Sequence, residues 1–245
     1  MMAVWNPGIA SNEDLCEMRD PKAVQPREDY SARYLVGLFN EMAQTYGVVN
    51  LLSSFGFSHF WRKSCIEALE VCPDSVCADL MSGMGESSLL LYGRGVTSIH
   101  AVDFSPAMTD RARAMIAQHG QAGVKITAMD VFDLNDSAAF DRICVSFGIK
   151  TLDNEGLERF ATLLCRLLRP GGRASLVEIH LPAFRPLLWP YLFYLRYVIP
   201  LIGRMCLGNP DCYRSLAIYT ESFARRERFA ARLHLDFSFC SRSSK

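Results

Sequence analysis

The chain has 245 residues, half of them hydrophobic, and its 26 Lys and Arg residues are balanced by 26 Asp and Glu residues. This length and composition support one sizeable core, so we expect a single domain. Because there is no net positive charge to gather phosphates, we expect no nucleic-acid partner.

The cysteines and the first residues indicate the setting in which the chain works. Nine cysteines are an odd number, and no two have the C-x-x-C spacing typical of zinc or redox sites. No basic stretch followed by an apolar one opens the chain, so no secretory signal is predicted. A reducing, cytoplasmic setting is expected. Because His59, His100, His119 and His234 share no ligand-like spacing, we predict no metal.

The chain begins with a polar segment followed by helical patterns. Residues 1–29 are aperiodic, which predicts a mobile leader before a domain over 30–245. From Tyr30 to Tyr46, apolar residues recur every three or four positions, as on one face of a helix. The stretch "SHFWRKSCIEALEV" predicts a second amphipathic helix that ends before Pro73. Two helices are therefore expected before the first strand.

After Pro73 the pattern alternates between strands and helices. Five segments predict strands: "SVCADL", "TSIHAVD", "VKITAMD", "DRICVSFG" and "RASLVEI". Three segments between them predict helices: "SSLLLYGR", "SPAMTDRARAMIAQHG" and "NEGLERFATLLCRLL". This alternation predicts an α/β fold of the Rossmann-like kind, a mostly parallel central sheet with helices on both faces.

The most hydrophobic segment, 185–208, is interrupted by two arginines and three prolines. Its uncharged runs are shorter than the roughly 20 residues that span a bilayer. We expect an insert over 183–210, after the fifth strand, to fold over a ligand cleft as an apolar lid. Two alternatives stay open: a helix pair that seals a core or a homodimer contact, and peripheral membrane docking through Trp189, Tyr191, Tyr194 and the flanking arginines.

The stretch "DLMSGMGESS" places Gly83 and Gly85 where the first predicted strand turns into a helix. Ligands of open parallel sheets bind at this switch point, where glycines allow positive φ and the helix N–H groups face the ligand. Asp103 ends the second strand 24 residues after Asp79. That is near the ~20-residue offset at which an acid reaches ribose hydroxyls. A nucleotide-like ligand is predicted, and an ordinary strand-to-helix turn is the alternative.

Two ligands fit this pattern, a dinucleotide and S-adenosylmethionine. Ser88 stands where the dinucleotide fingerprint requires a third small residue. Asp130, however, closes the third strand, where the amine of an adenine would lie, and two helices precede the first strand. S-adenosylmethionine is therefore favoured over a nicotinamide cofactor.

Six segments carry a resemblance to a known family: "FNEMAQTYGVVNLLSSFGFSHFWRK", "ADLMSGMGESS", "VDFSPAM", "FDRICVSFGIKTLDN", "LLRPGGRASLVEIHLP" and "NPDCYRSLAIYTESF". In this order they resemble the ubiquinone/menaquinone biosynthesis C-methyltransferases, a branch of the class I methyltransferases. The similarity extends from about Tyr30 to Phe223. It implies a class I methyltransferase fold and methyl transfer from S-adenosylmethionine to a carbon of a lipophilic or aromatic small molecule.

The resemblance also implies where S-adenosylmethionine would bind. It puts the methionine part on the glycine-rich turn, the ribose on Asp103 and the adenine on Asp130 with Val131. Gly148 and the two residues before it would line the cleft beside the sulfonium. The expected cofactor-binding residues are Asp79, Met81, Gly83, Gly85, Asp103, Phe104, Met108, Asp130, Val131, Ser146 and Phe147.

A smaller set of side chains is predicted to act on the acceptor. His180, just past the fifth strand, is the candidate base, since an imidazole titrates near neutrality. Tyr46 and Tyr213 are predicted to reach the acceptor cavity, where phenols bind oxygens or face the sulfonium. Lys150 and Arg214 are predicted to stabilise an oxyanion. The alternatives are a loop histidine, core tyrosines and surface charges.

The chain departs from the quinone enzymes at four places. Met81 stands where many relatives carry Gly or Ala, Gly47 where they usually carry Asp, and Lys150 where they usually carry Arg. After "ARRERFAARL" one strand, "HLDFSFCSR", is predicted, so the last edge strand of the class is missing or supplied otherwise. These departures keep open an acceptor from specialised metabolism, and an inactive methyltransferase-fold scaffold in a biosynthetic complex.

Overall fold

A computed structural model describes residues 30–120, 123–179, 181–182, 184–206 and 208–225. Three predictions fall on segments outside this range: the leader, the role of His180 and the strand "HLDFSFCSR".

A parallel sheet forms the centre of the molecule. Its strands are β1 (Val76–Leu80), β2 (Ser98–Asp103), β3 (Val124–Ala128), β4 (Phe140–Ser146) and β5 (Leu168–Val177). They lie side by side in the order β3-β2-β1-β4-β5, and each neighbouring pair is parallel. Because the order reverses at β1, the carboxyl end of β1 is the switch point at which this fold class binds ligands. The predicted α/β Rossmann-like class I fold is confirmed.

Helices and short turns connect and cover the strands. The α-helices are α1 (Ala32–Met42), α2 (Tyr46–Ser53), α3 (Phe57–Glu67), α4 (Glu86–Tyr92), α5 (Pro106–Gln118), α6 (Asn154–Leu167), α7 (Arg185–Phe193), α8 (Ile199–Met205) and α9 (Pro210–Arg225). Two 3-10 turns, Val131–Asp133 and Ile149–Thr151, follow the ends of β3 and β4. A π-turn, Tyr194–Val198, joins α7 to α8.

Side-chain caps explain where several helices begin. Ser31 caps α1, Ser105 caps α5 and Asp153 caps α6, each by accepting a hydrogen bond from a backbone N–H in the first turn. Pro106 stands in the first turn of α5, where a missing N–H leaves no hydrogen bond unmade. The α5 cap also holds that helix directly behind the end of β2.

Apolar layers bury both faces of the sheet. On one face, Leu80 and Val145 pack with Phe160 and Leu164 of α6. On the other, buried cysteines of β1 and β4 pack with residues of α3 and α4. The thiols of these cysteines are free and buried, so the cysteines serve as small hydrophobes in this layer. With both faces covered, β1 is apolar along nearly its whole length.

The first predicted helix is divided in the structure. α1 ends at Met42, and α2 begins at Tyr46. From Tyr30 onward, three helices rather than two therefore precede β1. The hydroxyl groups of Thr45 and Tyr213 lie 2.8 Å apart and are hydrogen-bonded. This bond holds the break against α9, a contact between distant residues that helical periodicity cannot indicate.

β5 begins earlier than predicted. It starts at Leu168 rather than Arg173, so the "RPGG" turn is included in the strand. A register shift between β4 and β5 accommodates these extra residues, and Gly171 adopts φ 79°.

The predicted insert forms one continuous helical segment. It consists of α7, the π-turn and α8, and we call it the rod. Pro186 and Pro200 stand in the first turns of α7 and α8. The π-turn hydrogen bond from the Ile199 N–H to the Tyr194 carbonyl carries the backbone past Pro200. Buried leucines of the rod pack against Ala217 of α9. None of the helices in the described ranges has the length and apolarity needed to cross a membrane.

Candidate active site

A cleft of about 400 Å³ opens where β1, β2, β3 and β4 end. This volume lies within the ~300–1,000 Å³ of small-molecule sites. The predicted cofactor-binding residues that line it are Asp79, Met81, Gly83, Asp103, Phe104, Met108, Asp130, Val131, Ser146 and Phe147. Gly85 lies off the wall: its φ is 82°, and an added Cβ would contact Ala112 of α5 at 3.4 Å. This glycine therefore brings the start of α4 close to Ala112 of α5.

The glycine-rich turn is held in place by Asp103. The Gly83 N–H donates to Asp103 Oδ2 at 2.8 Å, and the Ser105 N–H donates to Oδ1 at 2.9 Å. Gly83 has φ 55°, and a Cβ built there would meet nothing within 4 Å. The turn therefore presents backbone rather than side chain to the cleft, and the end of β2 fixes its position.

Met81 also has a left-handed backbone, with φ 55°. A Cβ on Gly148 would lie 2.6 Å from both Cβ and Sδ of Met81, so the methionine packs over the bare Cα of that glycine. Met81 also contacts the apolar core beneath α6. At Gly47, a Cβ would lie 2.8 Å from Met84 Cε. Methionine side chains thus occupy the space that these glycines leave.

Two buried carboxyl groups face the cleft. Asp79 accepts hydrogen bonds from the Ser88 hydroxyl at 2.7 Å and from the Cys144 thiol at 3.4 Å. Burial raises the pKa of Asp79 to about 7 and that of Asp103 to about 6, despite the hydrogen bonds that favour their charged forms.

The sequence analysis missed a cation in the cleft. The Arg62 side chain is only 7% exposed, and its guanidinium lies 3.6 Å from the Glu86 carboxylate. It also lies 4.9 Å from the centre of the Phe147 ring, within cation–π range. Phe147 has φ 64°, and both Arg62 and Glu86 line the cleft. An arginine on an amphipathic helix is normally read as a surface residue, so periodicity gave no signal for this position.

The sequence analysis also missed α1 as a wall of the cleft. Tyr30, Leu35 and Phe39 line this side. Asn40 ties α1 to the start of α5, because its Oδ1 accepts from the Ser105 hydroxyl at 2.7 Å. The wall beside the ligand site is therefore held by the same serine that caps α5.

At the other end of the cleft, Asp130 caps the 3-10 turn that follows β3. Its Oδ1 accepts from the Phe132 N–H at 3.0 Å. The guanidinium of Arg159, from α6, lies 4.5 Å from the centre of the Phe132 ring. Asp130 and Val131 thus lie on a wall that combines a carboxylate with apolar and aromatic surface.

A smaller cavity, of about 70 Å³, adjoins the cleft, and we call it the side cavity. Tyr46 and Phe147 line both spaces. The other walls of the side cavity come from α2, α9, the rod, the turn after β4 and the segment after β5: Val49, Asn50, Ser53, Lys150, Ile179, Leu195, Ile199, Tyr213, Leu216, Ala217 and Thr220. Burial raises the pKa of Tyr46, so its phenol stays protonated. Three of the predicted acceptor-site residues, Tyr46, Lys150 and Tyr213, therefore meet at the side cavity.

Lys150 forms a buried ion pair that the sequence analysis did not predict. Its Nζ lies 2.9 Å from Glu178 Oε1, and both side chains are 6% exposed. Nζ also donates to the carbonyl oxygen of Phe147, and Glu178 Oε2 accepts from the Lys150 N–H at 3.1 Å. The sequence offered one signal for this pair, because the acidic residue Glu178 directly follows the apolar run "ASLV". The alternative interpretation of Lys150 as a surface charge is wrong.

Arg214 does not reach either space. Its side chain is exposed and pairs with Asp211 on the same helix. The alternative interpretation, a surface charge, is therefore correct for this residue. Within the described ranges, no three His, Cys, Asp or Glu side chains come together as a metal site.

Sequence comparison identifies the family. The chain matches the ubiE/COQ5 methyltransferase family over residues 27–237. The chain belongs to this family. It is an S-adenosylmethionine-dependent methyltransferase, as the sequence analysis predicted.

Individual relatives agree with the family match. This methyltransferase is 27% identical over 201 residues to the ubiquinone/menaquinone biosynthesis C-methyltransferase UbiE of Geotalea daltonii, covering 79% of this chain and 83% of that protein. It is 31% identical over 197 residues to the demethylmenaquinone methyltransferase of Thermus thermophilus, covering 79% and 88%. Among solved structures, it matches a SAM-dependent methyltransferase from Aquifex aeolicus with a TM-score of 0.44 and 16% identity, covering 49% and 64% of the two chains.

The buried acids predict how the stability of the ligand-free methyltransferase depends on pH. Because the folded-state pKa of Asp79 is raised to about 7, the folded protein binds a proton that the unfolded chain has released above about pH 4. The free energy of unfolding should therefore fall as pH rises from about 4 to about 7, by ~1.4 kcal/mol per unit of pKa difference. Urea unfolding of the wild type and of Asp79→Asn at pH 5 and pH 8 measures this. Asp79→Asn should lose less free energy of unfolding between pH 5 and pH 8 than the wild type does. Equal losses in the two proteins would contradict the raised pKa of Asp79.

Proposed function

We propose that this methyltransferase transfers a methyl group from S-adenosylmethionine to a ring carbon of a lipophilic, quinol-like aromatic acceptor. The observation that carries this proposal is the arrangement of the two spaces, which share Tyr46 and Phe147 as a common wall. A mainly apolar side cavity with one buried lysine suits a ring that bears an oxygen. The names of the relatives, which include demethylmenaquinone methyltransferases, support the same acceptor class.

The residues of the cleft fit S-adenosylmethionine. When bound, this donor supplies a methyl group made electrophilic by a positively charged sulfur. Asp103 would accept from the ribose hydroxyls, since each carboxylate oxygen has a second lone pair beyond its backbone bond. Asp130 and Val131 would hold the adenine, and the bare Cα of Gly83 leaves room for the methionine part. Asp79 in its deprotonated form and Glu86, the partner of Arg62, would lie on the side where the donor is cationic.

The side cavity supplies the groups that would act on the acceptor. Lys150 would stabilise the oxyanion of a deprotonated phenol, which makes the ring carbon a stronger nucleophile. The ammonium has three N–H groups, and bonds to Glu178 and to the Phe147 carbonyl account for two of them within the described residues. Tyr46, protonated because it is buried, would donate a hydrogen bond and orient the ring. His180 remains the candidate base from the sequence.

The rod would close the acceptor side of the site. Leu195 and Ile199 line the side cavity, and among the described residues the cleft is lined by none from the rod. The lid expected from the sequence is therefore proposed to cover the acceptor rather than the cofactor. Excluding water there would strengthen the interaction between Lys150 and an acceptor oxygen.

A direct assay tests the proposal. The purified enzyme is incubated with S-adenosylmethionine and a reduced demethylated naphthoquinol, and the product is analysed by mass spectrometry and NMR. We expect one added methyl group on a ring carbon. A methyl on oxygen would contradict the proposed chemistry, and binding of S-adenosylmethionine without turnover of any quinol would favour a specialised-metabolite acceptor. Failure to bind both the donor and its demethylated product would favour the scaffold alternative.

A further inference from the structure

An apolar stripe runs along the outside of the rod. Its residues recur at every fourth position, and each is 55–76% exposed: Trp189, Phe193, Tyr197, Leu201 and Met205. Large apolar side chains rarely cluster on a solvent-exposed face unless that face has a partner. The opposite side of the rod is already buried against α9 through Leu188, Leu192 and Leu195. The stripe is therefore separate from the packing that holds the rod in place.

A second exposed apolar surface adjoins the rod. It is formed by residues of α2, α3 and the turn between them: Val48, Leu51, Leu52, Phe55, Phe57 and Phe60. The two surfaces meet where the rings of Phe55 and Tyr194 stack, 6.2 Å between centres, and where the Tyr194 hydroxyl donates to the Ser53 carbonyl. The rod and α2 thus form one continuous apolar face.

The two segments that carry this face contribute cations and no acids, and within the described residues the one acid paired with the rod, Glu221 of α9, is bound to Arg196. The sequence has no Asp or Glu between residues 42 and 66 or between 179 and 210. Lys63 and Arg204 are exposed in these two segments, and neither forms an ion pair with another described residue. A face with aromatic and aliphatic side chains at its centre, with exposed cations in both of its segments and no acid within them, is complementary to an anionic lipid surface.

The face also leads to the acceptor site. Asn50 and Ser53 of α2 and Leu195 and Ile199 of the rod line the side cavity. The same two elements carry the exposed apolar surfaces. A binding partner docked on this face therefore lies next to the side cavity and not on the opposite side of the molecule.

We infer that this face, formed by the stripe and by the exposed apolar residues of α2 and α3, docks on the surface of a membrane that contains anionic lipids. The apolar side chains enter the headgroup region while Lys63 and Arg204 face the lipid phosphates. The inference differs from the docking mode expected from the sequence. Of Trp189, Tyr191 and Tyr194, only Trp189 is exposed, whereas the other two are half-buried.

Vesicle flotation with the full chain tests this inference. Vesicles of neutral phosphatidylcholine are compared with vesicles that contain one quarter phosphatidylglycerol. We expect the protein to float with the anionic vesicles, less with the neutral ones, and less again at high salt, since salt screens exposed charges. The triple variant Trp189→Ser, Phe193→Ser, Leu201→Ser should reduce partitioning by at least about tenfold, because each change removes apolar area that enters the lipid.

Two controls keep the result interpretable. The variant Ala114→Ser, Ala117→Ser changes exposed positions of α5, which packs on β2, β3 and α1, and it should bind vesicles as the wild type does. Titration with S-adenosylmethionine should give the same affinity for the triple variant and the wild type, which shows that the fold and the cleft are intact. This readout is independent of the methyl acceptor, so docking and the proposed function can fail separately.

Three outcomes overturn the inference. The first is a wild-type protein that floats with neither kind of vesicle. The second is an equal loss of binding in the α5 variant. The third is sedimentation showing a wild-type dimer that the triple variant converts to monomer without any vesicle binding, in which case the face joins two copies of the chain.

Discussion

Asp103→Asn is expected to weaken the binding of S-adenosylmethionine by about 10- to 100-fold, because an amide loses a charge-assisted acceptor worth ~1.5–3 kcal/mol. The same change removes one of the two backbone bonds that Asp103 accepts from Gly83 and Ser105, so the turn loses part of its support. Calorimetric titration with the donor and with its demethylated product at pH 8 measures the effect. At pH 5 the difference between variant and wild type should shrink, because burial raises the pKa of Asp103 to about 6 and the wild type is then largely protonated.

Asp141→Asn is the matched control. Asp141 lies near the other end of the sheet, where its Oδ2 accepts from the Val76 N–H at 2.8 Å and its carboxylate pairs with Arg169. The control therefore also removes a carboxylate that bonds backbone, but far from the cleft. We expect its affinity for S-adenosylmethionine to stay within about twofold of the wild type. Equal losses in both variants would mean that general destabilisation, rather than contact with the ribose, explains the result.

Lys150→Met is expected to lower kcat by about 10²- to 10³-fold, the usual effect of removing one group that stabilises developing negative charge. The affinity for S-adenosylmethionine should change little, since Lys150 lines the side cavity and not the cleft. The single change leaves Glu178 as an unpaired buried anion, which costs ~3–5 kcal/mol of stability and could lower activity by itself. A second variant is needed to separate these two effects.

The double variant Lys150→Met, Glu178→Gln removes both charges of the buried pair. Its free energy of unfolding should return towards that of the wild type, because no unpaired charge is left. If Lys150 acts on an acceptor oxygen, the double variant stays inactive although it is stable. Lys150→Arg, which restores the residue usual in the quinone enzymes and keeps the charge, should retain most of the activity. A double variant with wild-type kcat would show that the pair is only structural.

Much of the fold could be predicted because its signals are local. Alternating apolar segments indicated five strands, and the spacing of apolar residues indicated the helices between them. The carboxyl ends of parallel strands meet at one edge of the sheet, so residues at the ends of strands, such as Asp79 and Asp103, could be assigned to one site from their positions in the sequence. The glycine-rich turn between β1 and α4 could be located in the sequence because its signal is also local.

Other features depend on contacts between distant residues. The break between α1 and α2 is stabilised by the bond between Thr45 and Tyr213, although apolar spacing continues through it. Met81 lies in the glycine-rich turn, and its side chain packs over Gly148, a neighbour supplied by the turn after β4. No local pattern carries the information for such pairs.

The sequence by itself determined the order of the strands and helices along the chain, the glycine-rich turn and the acids at the carboxyl ends of β1 and β2, because each is encoded within a few consecutive residues. Only the tertiary structure decided which charges are buried. Arg62 beside Glu86 and Lys150 beside Glu178 are read as surface residues in sequence, and they become parts of the site because folding brings their partners from other elements and removes water from around them.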